Sequence, residues 1–363
     1  LTCGYYLARL GYDVTVYESQ PVAGGLLAYG IPEYRLPKAI LAKEIRMIEQ
    51  VGVNIRTGVE VGKDITFKKM RAQHNAIYIS TGTQFPNKVG VPGEELAGVY
   101  HGLDFLRDVS LGQPVTVGKN VVVIGGGSTA FDAARTALRL GAEKVTVLYR
   151  RLIEDMPADV REIREALEEG VEIKPLMAPV AFVGKKSVSG VRCVRMELRG
   201  FDDAGRRKPR PVEGLEFVIS ADMVIPAVSQ HSDLPFISKD DVDITQWGTL
   251  VVDHDSMMTS VRGVFAGGDV VRGPDTVIQA IADGKKAAQA IDTYLGGSGV
   301  LNTGEPIDIP APADEKDVME HERFPIRYRD GETRAKGFQE VVVGFHRLNA
   351  IAEAMRCLRC DRR

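Results

Sequence analysis

Residues 120–151 read NVVVIGGGSTAFDAARTALRLGAEKVTVLYRR, and this stretch decides the fold. Val121–Ile124 is apolar at every position, as expected of a parallel strand covered on both faces. Gly125, Gly126 and Gly127 make a tight turn, Thr129–Leu140 continues as a helix capped by Gly141, and Val145–Tyr149 is the next strand. Strand, glycine turn, helix and strand in that order form a dinucleotide-binding unit. The glycines allow close backbone approach, and the helix N-terminus faces a pyrophosphate. Gly125, Gly126, Gly127, Ser128 and Thr129 are therefore candidate ligands of a nicotinamide nucleotide. The competing reading is a glycine turn that serves packing alone.

The end of the second strand selects the nucleotide. An acidic residue there would accept hydrogen bonds from a free ribose 2′-hydroxyl, whereas arginine accommodates a 2′-phosphate. Arg150-Arg151 stands at this point, and guanidinium forks suit phosphate. NADPH is the expected donor, with NADH the alternative. Two solvated surface arginines remain the bland explanation.

Upstream, Leu1–Leu10 reads as a helix stopped by Gly11, and Asp13–Tyr17 as a buried strand ending at Glu18. Glu18 occupies the position of an acidic ribose ligand, about 20 residues after a glycine fingerprint. Counting back that far passes Leu1, so a second fingerprint and its strand are expected to precede this stretch. A surface glutamate after an ordinary helix–strand pair is the other reading. Downstream, FAGGDVVRGPDTVIQAIADGKKAA (Phe265–Ala288) places an aspartate after two glycines, a residue able to bind ribityl or phosphate oxygens of a flavin nucleotide. A helix beginning near Thr276 can aim its positive end at a flavin ring, where reduction builds negative charge. Lys38–Gln50 reads as an amphipathic helix with Ile40, Leu41, Ile45 and Ile48 on one face, and Ala76–Ser80 as a short strand. Val171–Ile225 reads as strands around a polar turn, Asp202–Pro211.

Bulk properties narrow the remaining choices. The 363 residues leave room for two cores, and a net charge of −3 with well-mixed signs favours neither nucleic acid nor a membrane surface as partner. No apolar run approaches the roughly 20 residues that span a bilayer. Four cysteines are too few and scattered for a disulfide framework, which points to a reducing cytoplasm. Cys3 and Cys193 stand apart in sequence, so thiol–disulfide chemistry beside a flavin is not expected, and Cys3 reads as a buried small residue. No side-chain catalyst stands out, as suits hydride transfer between cofactors. Gly296 to about Arg334 reads as a proline-rich polar linker, and Phe345–Cys360 as a helix. That helix carries Cys357-Leu358-Arg359-Cys360, whose two thiolates at C-x-x-C spacing suit half of an iron–sulfur cluster or zinc site. A structural or free pair is the alternative.

Five stretches in fixed order make the chain recognisable: Tyr17–Lys38 (YESQPVAGGLLAYGIPEYRLPK), Ser80–Thr83 (STGT), Val121–Arg151, Met156–Ala158 (MPA) and Gly267–Asp269. From Leu1 to Leu295 the sequence resembles the flavin-containing small subunit of glutamate synthase. It is similar too to the matching half of dihydropyrimidine dehydrogenase and of ferredoxin:NADP oxidoreductases of the bifurcating type. The resemblance implies FAD contacts at Glu18, Ser19, Gly24, Gly25, Leu26, Arg35, Thr81, Gly82, Gly268, Asp269, Thr276 and Val277. It implies NADPH contacts at Gly126–Thr129, Arg150 and Arg151. The family's nicotinamide-side A-x-G turn appears here as Ala227-Val228-Ser229, with serine in place of glycine. Some relatives end in a similar CLRC-D stretch and pass electrons to iron–sulfur clusters, so the resemblance implies a [4Fe–4S] cluster at Cys357 and Cys360.

The expected architecture is α/β, with two Rossmann-like domains, one inserted in the other. Residues 1–105 and 234–300 would form the FAD domain, 106–233 the NAD(P)H domain, and 301–363 a linker and C-terminal helix. The expected function is reduction of FAD by NAD(P)H, with electrons passed to iron–sulfur clusters of a partner subunit or further domain. A glutamate synthase small subunit proper is the narrower alternative, and a scaffold subunit that has lost FAD the non-catalytic one.

Overall fold

The structure, a computed structural model, describes residues 1–202, 205–237, 242–301 and 322–356. The chain opens with α1 (Thr2–Arg9), β1 (Val14–Glu18), the one-turn α2 (Leu26–Tyr29), α3 (Lys38–Gln50), β2 (Val53–Thr57), α4 (Phe67–Gln73) and β3 (Ile77–Ile79). It leaves this first lobe through β4 (Phe85–Pro86). An inserted lobe follows: α5 (Gly102–Ser110), β5 (Asn120–Ile124), α6 (Ser128–Arg139), β6 (Lys144–Tyr149), α7 (Val160–Glu168), β7 (Glu172–Pro175), β8 (Met177–Gly184), β9 (Val188–Phe201), β10 (Arg207–Ser220) and β11 (Met223–Pro226). The return strand β12 (Gln230–His231) pairs antiparallel with β4, Gln230 opposite Pro86. The first lobe is completed by β13 (Val264–Ala266), α8 (Asp269–Arg272) and α9 (Val277–Tyr294). A last segment carries β14 (Arg327–Tyr328), α10 (Gly331–Ala335), β15 (Val342–Gly344) and α11 (Arg347–Met355).

The inserted lobe explains why β5 is apolar throughout. It lies inside a four-stranded parallel sheet, in the order β11-β5-β6-β7. Val121 and Val123 point into a core shared with Phe105, Phe131, Ala134 and Ile163 of α5, α6 and α7. Val122 and Ile124 point the other way, against Phe182, Val191 and Cys193 of the antiparallel sheet β8–β9–β10. Helices cover one face and a second sheet covers the other, so neither can be polar. In the first lobe β1 pairs with β2 and β3 with β13, both in parallel. On one side of β13, Phe265 packs with Cys3, Leu7 and Ile291, where α1 meets α9; on the other, Val264 and Ala266 pack with Leu234, Leu250 and Val270.

Several expectations shift. The boundary expected between residues 105 and 106 falls inside α5, whose Phe105 and Leu106 are buried in the core of the inserted lobe. The chain crosses between lobes earlier, at β4. In α3 the expected face is half-buried at Leu41, Ile45 and Ile48, but Ile40 is exposed. The polar turn after β9 is shorter than read, because Arg207–Pro211 already belongs to β10. Residues 302–321 and the cysteine pair Cys357 and Cys360 lie outside the described residues.

The largest departure concerns Arg334, read as linker but 3% exposed. It docks against α7, with its guanidinium 2.6 Å from Glu168 and 3.4 Å from Glu169. The Glu169 carboxylate also receives Arg135 at 2.7 Å and Arg139 at 2.7 Å. Both arginines lie over the ring of Tyr34 in the first lobe. Burial alone would raise the Glu169 carboxyl, but hydrogen bonds from Arg139 and Arg135 hold it below the usual range. One buried carboxylate thus gathers cations from α6 and the C-terminal segment. Removing it leaves three buried guanidiniums without their shared partner, which costs about 3–5 kcal/mol. Glu169→Gln is expected to lose that much stability in chemical denaturation at neutral pH. The contribution is full above the ordinary glutamate pKa and fades as pH falls through the depressed folded value, so the variant's stability should also vary less with acid. A loss under about 1 kcal/mol would show that the cluster contributes little.

Candidate functional site: a cleft between the lobes

A continuous cleft of about 2580 Å³ runs between the two lobes. Every candidate cofactor-binding residue named from the sequence lines it. Two half-sites, one from each lobe, face across it.

In the inserted lobe, the β5–α6 turn is built so that backbone lies close to backbone. Gly125 has φ +150°, and a Cβ there would sit 2.3 Å from the carbonyl oxygen of Ala227. A Cβ on Gly126 would meet the Tyr149 ring at 2.6 Å. Gly127 is the N-cap of α6 and offers no side chain to the first turn, so the N–H groups at Ser128 and Thr129 open onto the cleft. The Ala227-Val228-Ser229 turn lines the cleft beside it. Ser229 has φ +84°, the left-handed conformation that a glycine would adopt without strain.

The two arginines after β6 part company. Arg150 is exposed at the cleft and makes no ion pair among the described residues. Arg151 is buried: its guanidinium donates to Asp202 at 3.0 Å and to the Arg207 carbonyl at 2.9 Å. A third arginine, which sequence reading passed over, reaches the same wall. Arg206 at the β9–β10 turn lines the cleft and shares the Asp202 carboxylate at 3.1 Å. No sequence signal marks it, since it comes 55 residues after Arg151 through a hairpin.

In the first lobe, Glu18 ends β1 with one carboxylate oxygen accepting from the Gln20 backbone N–H at 2.8 Å. Burial raises its carboxyl above the ordinary glutamate range. Gly24 and Gly25 follow with φ +127° and +56°, and the N-terminus of α2 begins there. Asp269 opens α8 behind Gly268, whose N–H donates to Asp283 at 2.9 Å. Asp283 in turn is clamped by Arg272 at 2.7 Å, fixing the loop that presents Asp269. Burial also raises the Asp269 carboxyl. Its partner is Thr83, whose hydroxyl donates at 3.3 Å, and Thr83 accepts from Gln230 at 3.1 Å. Thr276 caps α9 without a side-chain cap bond, so a second helix N-terminus opens onto the cleft.

Arg35 lines the cleft but is engaged across the lobes. Its guanidinium pairs with Asp132 on α6 at 2.6 Å and with Glu162 on α7. Asp132 is buried, and burial pushes its carboxyl up to about 7. The geometry makes Arg35 a bridge between lobes. Cys3 and Cys193 lie in separate cores, and burial pushes both thiols up to about 12. Neither is a nucleophile at neutral pH. No cluster of metal-ligating side chains occurs among the described residues, and no helix there is long and apolar enough to cross a membrane.

The profile of the pyridine nucleotide-disulphide oxidoreductase family matches residues 1–284. The chain is 43% identical over 376 residues to the NADP(+)-dependent formate dehydrogenase subunit beta of Moorella thermoacetica, covering all of this chain and 53% of that protein. It is 42% identical over 302 residues to the glutamate synthase [NADPH] small chain of Azospirillum brasilense, across 79% of this chain and 63% of that one. The chain thus spans about half to two thirds of these relatives. FprA of Mycobacterium tuberculosis, solved in complex with NADPH, superposes with a TM-score of 0.68 over 81% of this chain and 83% of that one, at 18% identity. It shares the fold.

The contrast between the paired arginines is measurable without any ligand. Arg151→Met strips Asp202 of a buried partner and is expected to lower stability by about 2–4 kcal/mol. Arg150→Ala removes an exposed side chain and should stay within about 0.5 kcal/mol of the parent. Equal thermal shifts for the two variants would contradict the assignment of separate roles.

Proposed function

Because this chain belongs to the pyridine nucleotide-disulphide oxidoreductase family, we propose that it is the NADPH-oxidising flavoprotein module of a larger electron-transfer enzyme, binding FAD in the first lobe and NADPH in the inserted one. The observation that carries this reading is the meeting of two helix N-termini, α6 and α9, from different lobes on one cleft. Each offers unpaired N–H groups and a positive dipole end, which suit anionic groups.

When bound, FAD supplies a ring that accepts hydride from NADPH and releases electrons one at a time. The residues of this chain position and tune. Glu18 offers carboxylate oxygens to ribose hydroxyls, and Gly24, Gly25 and Leu26 admit the cofactor close to the backbone. Thr81, Gly82, Gly268 and Asp269 meet the ribityl and phosphate region. The α9 N-terminus at Thr276 and Val277 faces the ring edge where negative charge grows. Across the cleft Gly125–Thr129 receives the pyrophosphate of NADPH, and Ala227–Ser229 lies beside its nicotinamide. Arg150 and Arg206 would hold the 2′-phosphate, while Arg151 anchors Asp202, the carboxylate that Arg206 also meets. The residues present suit both groups: Glu18 and Asp269 would accept from hydroxyls, and the first-turn N–H groups of α6 and α9 with Arg150 and Arg206 would donate to phosphate oxygens.

The named relatives are a formate dehydrogenase beta subunit and a glutamate synthase small chain. Their shared part suits a common NADPH-side module that delivers electrons to a partner subunit carrying iron–sulfur clusters. Cys357 and Cys360 are the proposed cluster ligands in this chain, the others coming from outside it, because Cys3 and Cys193 are buried elsewhere.

Two experiments test this reading. Arg150→Ala and Arg206→Ala should each raise KM for NADPH about tenfold or more and leave KM for NADH nearly unchanged, since each charge-assisted hydrogen bond contributes about 1.5–3 kcal/mol. Equal use of both nucleotides by the unmutated protein would remove the case for a phosphate grip. Cys360→Ser in the intact assembly should lower iron content and slow acceptor reduction while NADPH still bleaches the flavin. Unchanged iron stoichiometry in that variant would rule out the cluster assignment.

A further inference from the structure

We infer that Gln230 is a positioning residue for the flavin-side carboxylate. Through the buried hydroxyl of Thr83 it holds Asp269 in the orientation that meets the cofactor, and so ties that contact to the strand by which the chain returns from the inserted lobe. This rests on the reading of Asp269 as an FAD contact.

The three groups form one directed chain. Thr83 is 1% exposed, so its oxygen and its single proton must both find protein partners. The Gln230 side-chain nitrogen lies 3.1 Å from that oxygen and can only donate. The threonine proton is therefore left for Asp269 Oδ2, 3.3 Å away. The carboxylate gains this donor on Oδ2, beside the backbone N–H of Asp275, and Asp269 lines the cleft. Asp269 cannot accept from Thr83 in this way once its rotamer changes, so the chain selects the rotamer.

The placement gives the chain its significance. Thr83 lies just before the outgoing strand β4, and Gln230 begins the return strand β12 paired to it. Gln230 also follows Ser229, whose φ of +84° fixes the direction in which β12 leaves the nicotinamide-side turn. The Asn87 N–H donates to the Ser229 carbonyl at 3.0 Å and locks the two crossings together. A shift of the inserted lobe would move Gln230, and through Thr83 it would reach the Asp269 carboxylate.

The test measures FAD dissociation constants in the full-length protein for Asp269→Ala, Thr83→Val, Thr83→Ser, Gln230→Leu and the Thr83→Val/Gln230→Leu double variant. NADPH binding serves as the control for the inserted lobe. Asp269→Ala should weaken FAD most. Gln230→Leu should weaken it about three- to tenfold and Thr83→Val about tenfold, one neutral and one charge-assisted hydrogen bond respectively. Thr83→Ser keeps the hydroxyl and should bind as the parent does. The double variant should be no weaker than Thr83→Val alone, because Gln230 acts through Thr83. NADPH affinity should be unchanged throughout. FAD binding by Asp269→Ala equal to the parent's would overturn the flavin-contact reading itself. With Asp269→Ala weakened, a Gln230→Leu value within twofold of the parent, or losses that add in the double variant, would overturn the positioning role alone.

Discussion

The fold turns on one close approach: the backbone of Gly125 lies against the carbonyl of Ala227. Ala227 donates its N–H to the Ile124 carbonyl at 2.8 Å, so the ends of β5 and β11 are stitched side by side. Any side chain at position 125 would strike that carbonyl. With glycine there, β5 can turn into α6 at the same level at which β11 gives way to the turn before β12. Three consequences follow from this one contact. The N-terminus of α6 opens toward the cleft, the Ala227-Val228-Ser229 turn lines the cleft beside it, and the chain is aimed back to the first lobe through β12.

How much of this could be read in the sequence depended on whether the information was local. The strand–glycine–helix unit was legible because strand, turn and helix each carry their own pattern within about 30 residues. The cap at Thr276 and the glycines before Asp269 were legible for the same reason. Arg206 was not, because a long antiparallel hairpin brings it to the carboxylate that Arg151 holds, and hairpins of that length carry no register signal. The crossing at β4 was misplaced because the stretch between it and α5 looks like loop in sequence, yet residues 97 and 99 make bridges to 187 and 224 of the inserted lobe. The docking of Arg334 was missed because a polar, proline-rich run reads as linker whether or not one of its arginines finds a buried carboxylate.

Charge in this molecule divides into two kinds. The Arg135–Arg139–Glu169–Arg334 cluster is buried and mutually paired and does not line the cleft, while Arg150 is exposed there without an ion pair among the described residues. Sequence alone cannot separate the kinds, since Arg150 and Arg151 are adjacent and chemically identical. The loop after β6 separates them: Arg150 is exposed at the cleft and Arg151 is buried against Asp202. A phosphate-binding arginine must keep its donors free, and a buried one has already used them. Arg35 belongs with the second kind, for its donors are committed to Asp132 and Glu162.

Hydride transfer between two bound cofactors asks no acid, base or nucleophile of the protein. What the reaction does require is that two rings meet face to face, each held by a different lobe. Alignment is then a property of the inter-lobe contacts rather than of either nucleotide site. Arg35 bridging to α6 and α7, Tyr34 beneath the arginines of α6, and β4 paired with β12 are those contacts, and all three join elements far apart in sequence. A shift at any of them would move one ring against the other, and a misplacement of about 1 Å can cost a hundredfold in rate.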